Sequence, residues 1–217
     1  MTPGYTNLFQ LDDIHTYIHK CIKFLHLSTE IDLVIRFIFE RNTVILGGHL
    51  VNNIFSESQS EIPVTITIAT VNDIQELSTL AHRNPEDFRK WIENRYVFIV
   101  AKINGKIVSY GCFCPASESR DPYTKFVNLR DDDAWALHCF TNPEYRRMKI
   151  YSLVLFQCIK LLKERGFMRV YGYTAIDNEA SKKAHNISGL KDYKIINYTR
   201  IFGFKIYREQ KGTKGEQ

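Results

Sequence analysis

Hydrophobic positions along the chain follow a helical period in some stretches and a two-residue period in others, and the changes between them outline its elements. Ile14, Ile18, Cys21, Ile22 and Leu25 recur close to every 3.6 residues behind Asp12 and Asp13, which predicts an amphipathic helix over 11–27. Residues 31–40 (IDLVIRFIFE) are short and rich in β-branched and aromatic side chains, the composition of a strand. A polar stretch over 55–63 reads as a linker, and the alternating VTITIA of 64–69 as the next strand. Residues 71–82 and 85–94 have helical spacing, the second opening on Pro85 with acids behind it. Two apolar runs, 96–102 and 106–114, flank Asn104-Gly105, a dipeptide suited to the left-handed backbone of a tight hairpin.

Further on, 117–132 is polar and irregular, and 134–141 is again strand-like. A loop carrying Asn142-Pro143 leads into an apolar helix over 151–165, which stops at Gly166 as helices often do. A strand over 169–174, a helix over 179–188 ended by Gly189, and a hairpin over 191–207 turning near 201–203 complete the order. Helices and strands interleave, so the class is α/β.

Composition narrows the picture. With 217 residues, 44% hydrophobic and 13% aromatic, the chain is expected to build a packed core. No apolar run approaches the roughly 20 residues that cross a bilayer, and the N-terminus lacks a basic leader followed by an apolar stretch. A cytoplasmic protein with no membrane partner is expected. Five cysteines without a Cys-x-x-Cys pair suggest neither a disulfide framework nor a zinc site, so no metal is expected. Cys112 and Cys114, two apart in a strand, should share one face.

Charge is uneven. From Asn142 onward there are 16 Lys and Arg against 7 Asp and Glu, +9, and before it 13 against 17, −4. That asymmetry points to an anionic partner for the C-terminal half: a phosphorylated cofactor, a nucleic acid or a membrane surface. The basic tail from Lys205 to Gln217 lacks the longer basic stripe with interleaved aromatics of a nucleic-acid binder, and no nucleic-acid partner is expected.

The most informative stretch is FTNPEYRRMKIYSLVL, beginning at Phe140 and Thr141. A strand that ends in a short loop and turns straight into a helix gathers unpaired amides and the positive end of the helix dipole at one point, an anion site. Arg146 and Arg147 add charge-assisted donors for a pyrophosphate. A solvated strand-to-helix turn has the same geometry.

This stretch resembles the acyl-CoA-binding motif of the GNAT superfamily of N-acetyltransferases. There an Arg or Gln opens a six-residue loop whose fourth residue is usually Gly and whose sixth is usually Gly or Ala. Carried over, the loop is Arg146, Arg147, Met148, Lys149, Ile150 and Tyr151, so Lys149 and Tyr151 depart from the pattern. A second block, Asn178-Glu179-Ala180-Ser181, then His185, then Gly189-Leu190, resembles the family's later helix. The resemblance covers about 63–208. It implies a mixed, mostly antiparallel sheet flanked by helices, with 1–62 as an N-terminal helix-strand extension.

It further implies acetyl-CoA as acyl donor and a small-molecule primary amine as acceptor, joined by direct attack. Phe140, Thr141, Arg146–Tyr151, Asn178 and Ser181 become cofactor-binding candidates. His185 stands where family members often place the Tyr that protonates the departing thiolate, though a helix histidine is also commonly a packing residue. Asp133, nearest the strand among Asp131, Asp132 and Asp133, is the candidate base, and His138 lies within that strand. Cys139 lacks a paired His and reads as packing. A longer acyl-CoA, an acyl carrier protein or a non-catalytic module would also suit the altered loop. The sequence leaves oligomeric state open, a homodimer among the possibilities.

Overall fold

A computed structural model describes residues 39–51, 60–187, 190–201 and 204–210. The expected helix over 11–27, most of the strand over 31–40, residues 55–59 of the linker, Gly189 and the tail beyond 210 lie outside the described residues.

Eight strands form one sheet, in the order β2-β3-β4-β5-β6-β1-β7-β8. They are β1 (Phe39–Leu50), β2 (Thr65–Ile68), β3 (Val97–Ile103), β4 (Lys106–Pro115), β5 (Asp133–Thr141), β6 (Arg169–Ala175), β7 (Lys191–Ile201) and β8 (Phe204–Glu209). Among the described strand registers only β5 with β6 is parallel. Among the described residues four α-helices accompany the sheet: α1 (Ile74–Ala81), α2 (Pro85–Glu93), α3 (Ile150–Glu164) and α4 (Glu179–Ile187). The architecture is therefore the mixed, mostly antiparallel α/β sheet expected from the resemblance.

Local chemistry explains the boundaries. Asn104 and Gly105 sit at φ 50° and 79°, the left-handed pair that closes the β3–β4 hairpin. The Asn84 carboxamide oxygen accepts from the Glu86 amide ahead of α2, with Pro85 in the first turn. Gly166, at φ 86°, follows α3 in the conformation that glycine adopts without a Cβ penalty.

Residues alternate faces along β3 and β4, yet both strands are buried almost throughout, because each face is covered. On one, Val97, Ile99, Ala101 and Phe113 pack with Val154, Leu155, Cys158 and Leu162 of α3. On the other, Phe98, Val100, Tyr110 and Cys112 pack with Leu77 of α1 and Phe88 of α2. Cys112 and Cys114 are both buried, and burial pushes both thiols up, Cys114 to about 12, so neither is a ready nucleophile.

Of the strand expected over 31–40, Phe39 and Glu40 fall in β1, and the rest of β1, to Leu50, was not expected as strand. Val44–Leu50 pair antiparallel with Arg169–Ala175 of β6. Gly48 is needed there, for a Cβ at that position would lie 2.7 Å from the Tyr171 ring. The described chain divides into two compact units, 44–195 in one and 39–43 with 196–210 in the other. Residues 44–51 thus pack with the body containing β2 to α4. In the smaller unit β7 and β8 pair from Ile196↔Glu209 to Ile201↔Phe204, and Arg200 is paired with Glu40 at 2.5 Å.

Candidate functional site

β5 and β6 begin side by side and then lose each other. Their parallel ladder covers only Asp133↔Arg169, Ala134↔Val170 and Trp135↔Tyr171. The start is fastened by a two-point ion pair: Arg169 Nε donates to Asp133 Oδ1 at 2.7 Å and its Nη2 to Oδ2 at 2.6 Å. The Arg130 amide donates to the same Oδ2, and Asp133 is fully buried. This is the geometry of a structural clamp, with both carboxylate oxygens occupied, and Asp133 is absent from the lining of the pocket that opens farther along.

That pocket, of about 260 Å³, is walled by Ala136–Cys139 of β5 and Tyr171–Ala175 of β6, with Tyr151 and Leu155 of α3 and Ser181 and His185 of α4. Gly172 sets its width at the floor: a Cβ there would stand 3.1 Å from that of Ala136. β5 is also distorted at this level. Cys112 faces His138 while Phe113 faces Ala136, so Leu137 is an extra residue, a bulge whose backbone groups fall outside the ladder.

Three expected residues meet on the α3–α4 wall. Tyr151 is hydrogen-bonded to Ser181 and to the Cys139 thiol, and Ser181 Oγ lies 3.5 Å from His185 Nε2. Desolvation, then the neighbouring thiol, push the Tyr151 phenol well above its usual range, and burial takes Cys139 to about 12. Asn178, also in the lining, accepts from the Ser181 amide at 3.0 Å and so caps α4.

The turn between β5 and α3 is tightly pinned. Arg146 Nε donates to the Thr141 carbonyl at 3.2 Å, Thr141 Oγ1 is 2.7 Å from Ser109 Oγ, and the Asn142 amide donates to the Val108 carbonyl. Arg147 and Lys149 have φ of 69° and 59°, left-handed backbone of the kind that turns successive amides toward one concavity. Helix geometry leaves the amides of Ile150, Tyr151 and Ser152 without carbonyls inside α3, whose first ladder bond runs from Leu153 to Lys149. Lys149 Nζ pairs with Glu61 Oε1 at 3.2 Å, both side chains exposed. Ile150 is buried in the core and Met148 packs against it, while Phe140 stacks on Tyr110 on the opposite face.

Two further groups belong to the pocket: His138, which the sequence offered beside Asp131–Asp133, and the β6 wall, which it did not. His138 Nδ1 lies 2.7 Å from the Tyr110 hydroxyl, its ring stacked near those of Tyr110 and Trp91. Desolvation, then the Arg83 charge, hold its pKa below the usual 6.5, so it is neutral at physiological pH. The β6 wall, Tyr171–Ala175, was invisible locally. What pointed to it is the β5–α3–β6 crossover, since clefts open beyond the carboxyl ends of parallel strands. Among the described residues no cluster of His, Cys, Asp or Glu is placed to hold a metal, and no helix is long and apolar enough to cross a membrane.

Two parallel strands thus part over a pocket, and a turn of left-handed backbone leads from the first of them into α3, the frame of a mixed α/β transferase fold. The chain belongs to the acetyltransferase (GNAT) family, whose sequence profile matches residues 68–189. Among solved structures it is similar to an acetyltransferase of that family from Colwellia psychrerythraea, at 16% identity and TM-score 0.56, covering 80% of this chain and 57% of that one. It is also similar to a GCN5-related N-acetyltransferase from Sphaerobacter thermophilus, at 10% identity and TM-score 0.58, covering 84% and 56%. The chain thus spans little more than half the length of either, and at these identities the likeness is one of fold. No curated protein matches the sequence.

Proposed function

We propose that the protein is a cytoplasmic N-acetyltransferase that moves an acetyl group from acetyl-CoA to a primary amine by direct attack. The carrying observation is that one β5–α3–β6 unit presents both an amide-lined turn at 146–151 and the pocket between the strands. The first suits a diphosphate, and the second a thioester with its approaching amine.

The amides from Arg147 to Ser152 would hold the diphosphate, and Lys149 can exchange its exposed Glu61 partner for a phosphate. Tyr151, Asn178 and Ser181 would line the path of the pantetheine arm. Attack requires a neutral amine, a donor for the oxygen that gains charge, and a proton for the departing thiolate. The unladdered backbone of the Leu137 bulge supplies an amide for the oxygen. His185, next to Ser181, is the donor for the thiolate. His138 replaces Asp133 as acceptor of the amine proton, because it lines the pocket and stays neutral whereas Asp133 is locked to Arg169.

A second reading, a non-catalytic acyl-CoA-binding module, is favoured by one observation: Tyr151 stands in the pocket where the family prefers Gly or Ala. Titration calorimetry with acetyl-CoA up to about 1 mM, near the top of the usual substrate range, followed by thiol release in the presence of primary amines, separates the two. Saturable heat with amine-dependent thiol release is expected. Heat without release makes the protein a module, and no heat removes both readings.

A further inference from the structure

The connection between β4 and β5 carries a carboxylate that the reaction outlined above does not use. Asp121 opens the short 3-10 turn Pro122–Phe126, its Oδ1 accepting from the Tyr123 amide at 2.9 Å. The Tyr173 hydroxyl donates to the same carboxylate, and Tyr173 is a pocket-wall residue 39% exposed to solvent. The rings of Tyr173 and Tyr123 lie 4.5 Å apart at 50°. Behind them, Trp135 is fully buried, and its indole N–H faces this carboxylate without a hydrogen bond of ordinary length to any described residue.

Among the described residues no Lys or Arg is ion-paired with Asp121. A half-buried carboxylate is costly unless matched by a cation, and desolvation raises the Asp121 pKa accordingly. The capping bond to Tyr123 does not require that cost, because an Asn side chain accepts from the same amide equally well. What an Asn would not supply is a negative charge beside the exposed Tyr173 ring of the pocket wall, which the buried Tyr123 ring backs, a combination that attracts an ammonium by ion pairing and cation–π attraction.

We propose that Asp121, with the exposed ring of Tyr173 beside it, forms a subsite that captures an alkylammonium group of the acceptor, so that the acceptors are cationic aliphatic amines. This rests on the N-acyl transfer reading for its biological meaning, but the binding is measurable without turnover.

The test titrates n-pentylammonium and spermidine, with neutral n-pentanol as control, into the full-length protein, with and without saturating CoA. Asp121→Asn keeps the turn cap and removes the charge, and Tyr173→Leu removes the exposed ring. Wild type should bind the ammonium probes saturably and pentanol not at all, with Asp121→Asn weaker by at least about tenfold and Tyr173→Leu by about threefold. Acetyl-CoA affinity should be unchanged in Asp121→Asn. Equal ammonium binding by wild type and Asp121→Asn overturns the proposal, as does no ammonium binding by wild type. If Asp121→Asn fails to fold, undiminished binding by Tyr173→Leu overturns it. Acetyl-CoA binding, followed separately, tells whether the transferase reading falls with it.

Discussion

Lys149 stands where the family's loop usually has glycine, and its backbone keeps the conformation that glycine favours. Its φ of 59° and ψ of 10° lie in the left-handed region, where a Cβ crowds the backbone and glycine does not. The side chain makes an exposed ion pair with Glu61. Lys149→Gly should therefore raise stability by about 0.5–1 kcal/mol, measured by urea denaturation, since the exposed ion pair that is lost contributes little. His138 makes the opposite kind of statement, with its charge state carrying the prediction. Because its folded pKa is lowered, it remains an acceptor at pH values below 6.5, and activity should decline only as pH falls through that lowered value. His138→Gln should reduce kcat by about 100-fold and remove this acid limb from the pH profile. An unchanged limb assigns it to another group.

At the level of elements, the two strands that part over the pocket depend on being held where they start. Asp133 and Arg169 supply that hold, and removing one charge leaves the other uncompensated in a largely buried setting. Asp133→Asn should cost about 3 kcal/mol in stability, read by thermal or denaturant unfolding. Assayed where the variant is folded, its pH profile should keep the wild-type shape; loss of the basic group from that profile would restore Asp133 as the base. Elements defined by local rules were legible in sequence: the Asn104-Gly105 hairpin, Pro85 opening α2, and Gly166 closing α3. The full reach of β1 was not, because Gly47 and Gly48 lower strand propensity and the partner that demands them, Tyr171, lies far along the chain. The site divided the same way. Tyr151, Ser181 and His185 followed from a motif, whereas Asp121 sits in a polar stretch indistinguishable from any solvated loop until Tyr173 is placed beside it.

Across the whole molecule, the sequence-level charge asymmetry and the turn at 146–151 make the same demand. An excess of positive charge after Asn142 accompanies the helix start that the proposed function assigns to a diphosphate. CoA affinity should accordingly fall with rising salt, and 3′-dephospho-CoA should bind more weakly with a shallower salt dependence. Calorimetry at several ionic strengths would show this, and a flat response would place the diphosphate elsewhere.

The pairing of Val44–Leu50 with β6 has a practical consequence for anyone trimming the protein to its profile-matched region. A version starting at residue 63 would leave the backbone donors and acceptors along that side of Arg169–Ala175 without their native partner. Exposed rows of this kind recruit strands from other molecules. Such a truncation should elute from size-exclusion chromatography as aggregates or strand-exchanged assemblies, and a well-behaved monomer would show that the rest of the sheet can close over the gap.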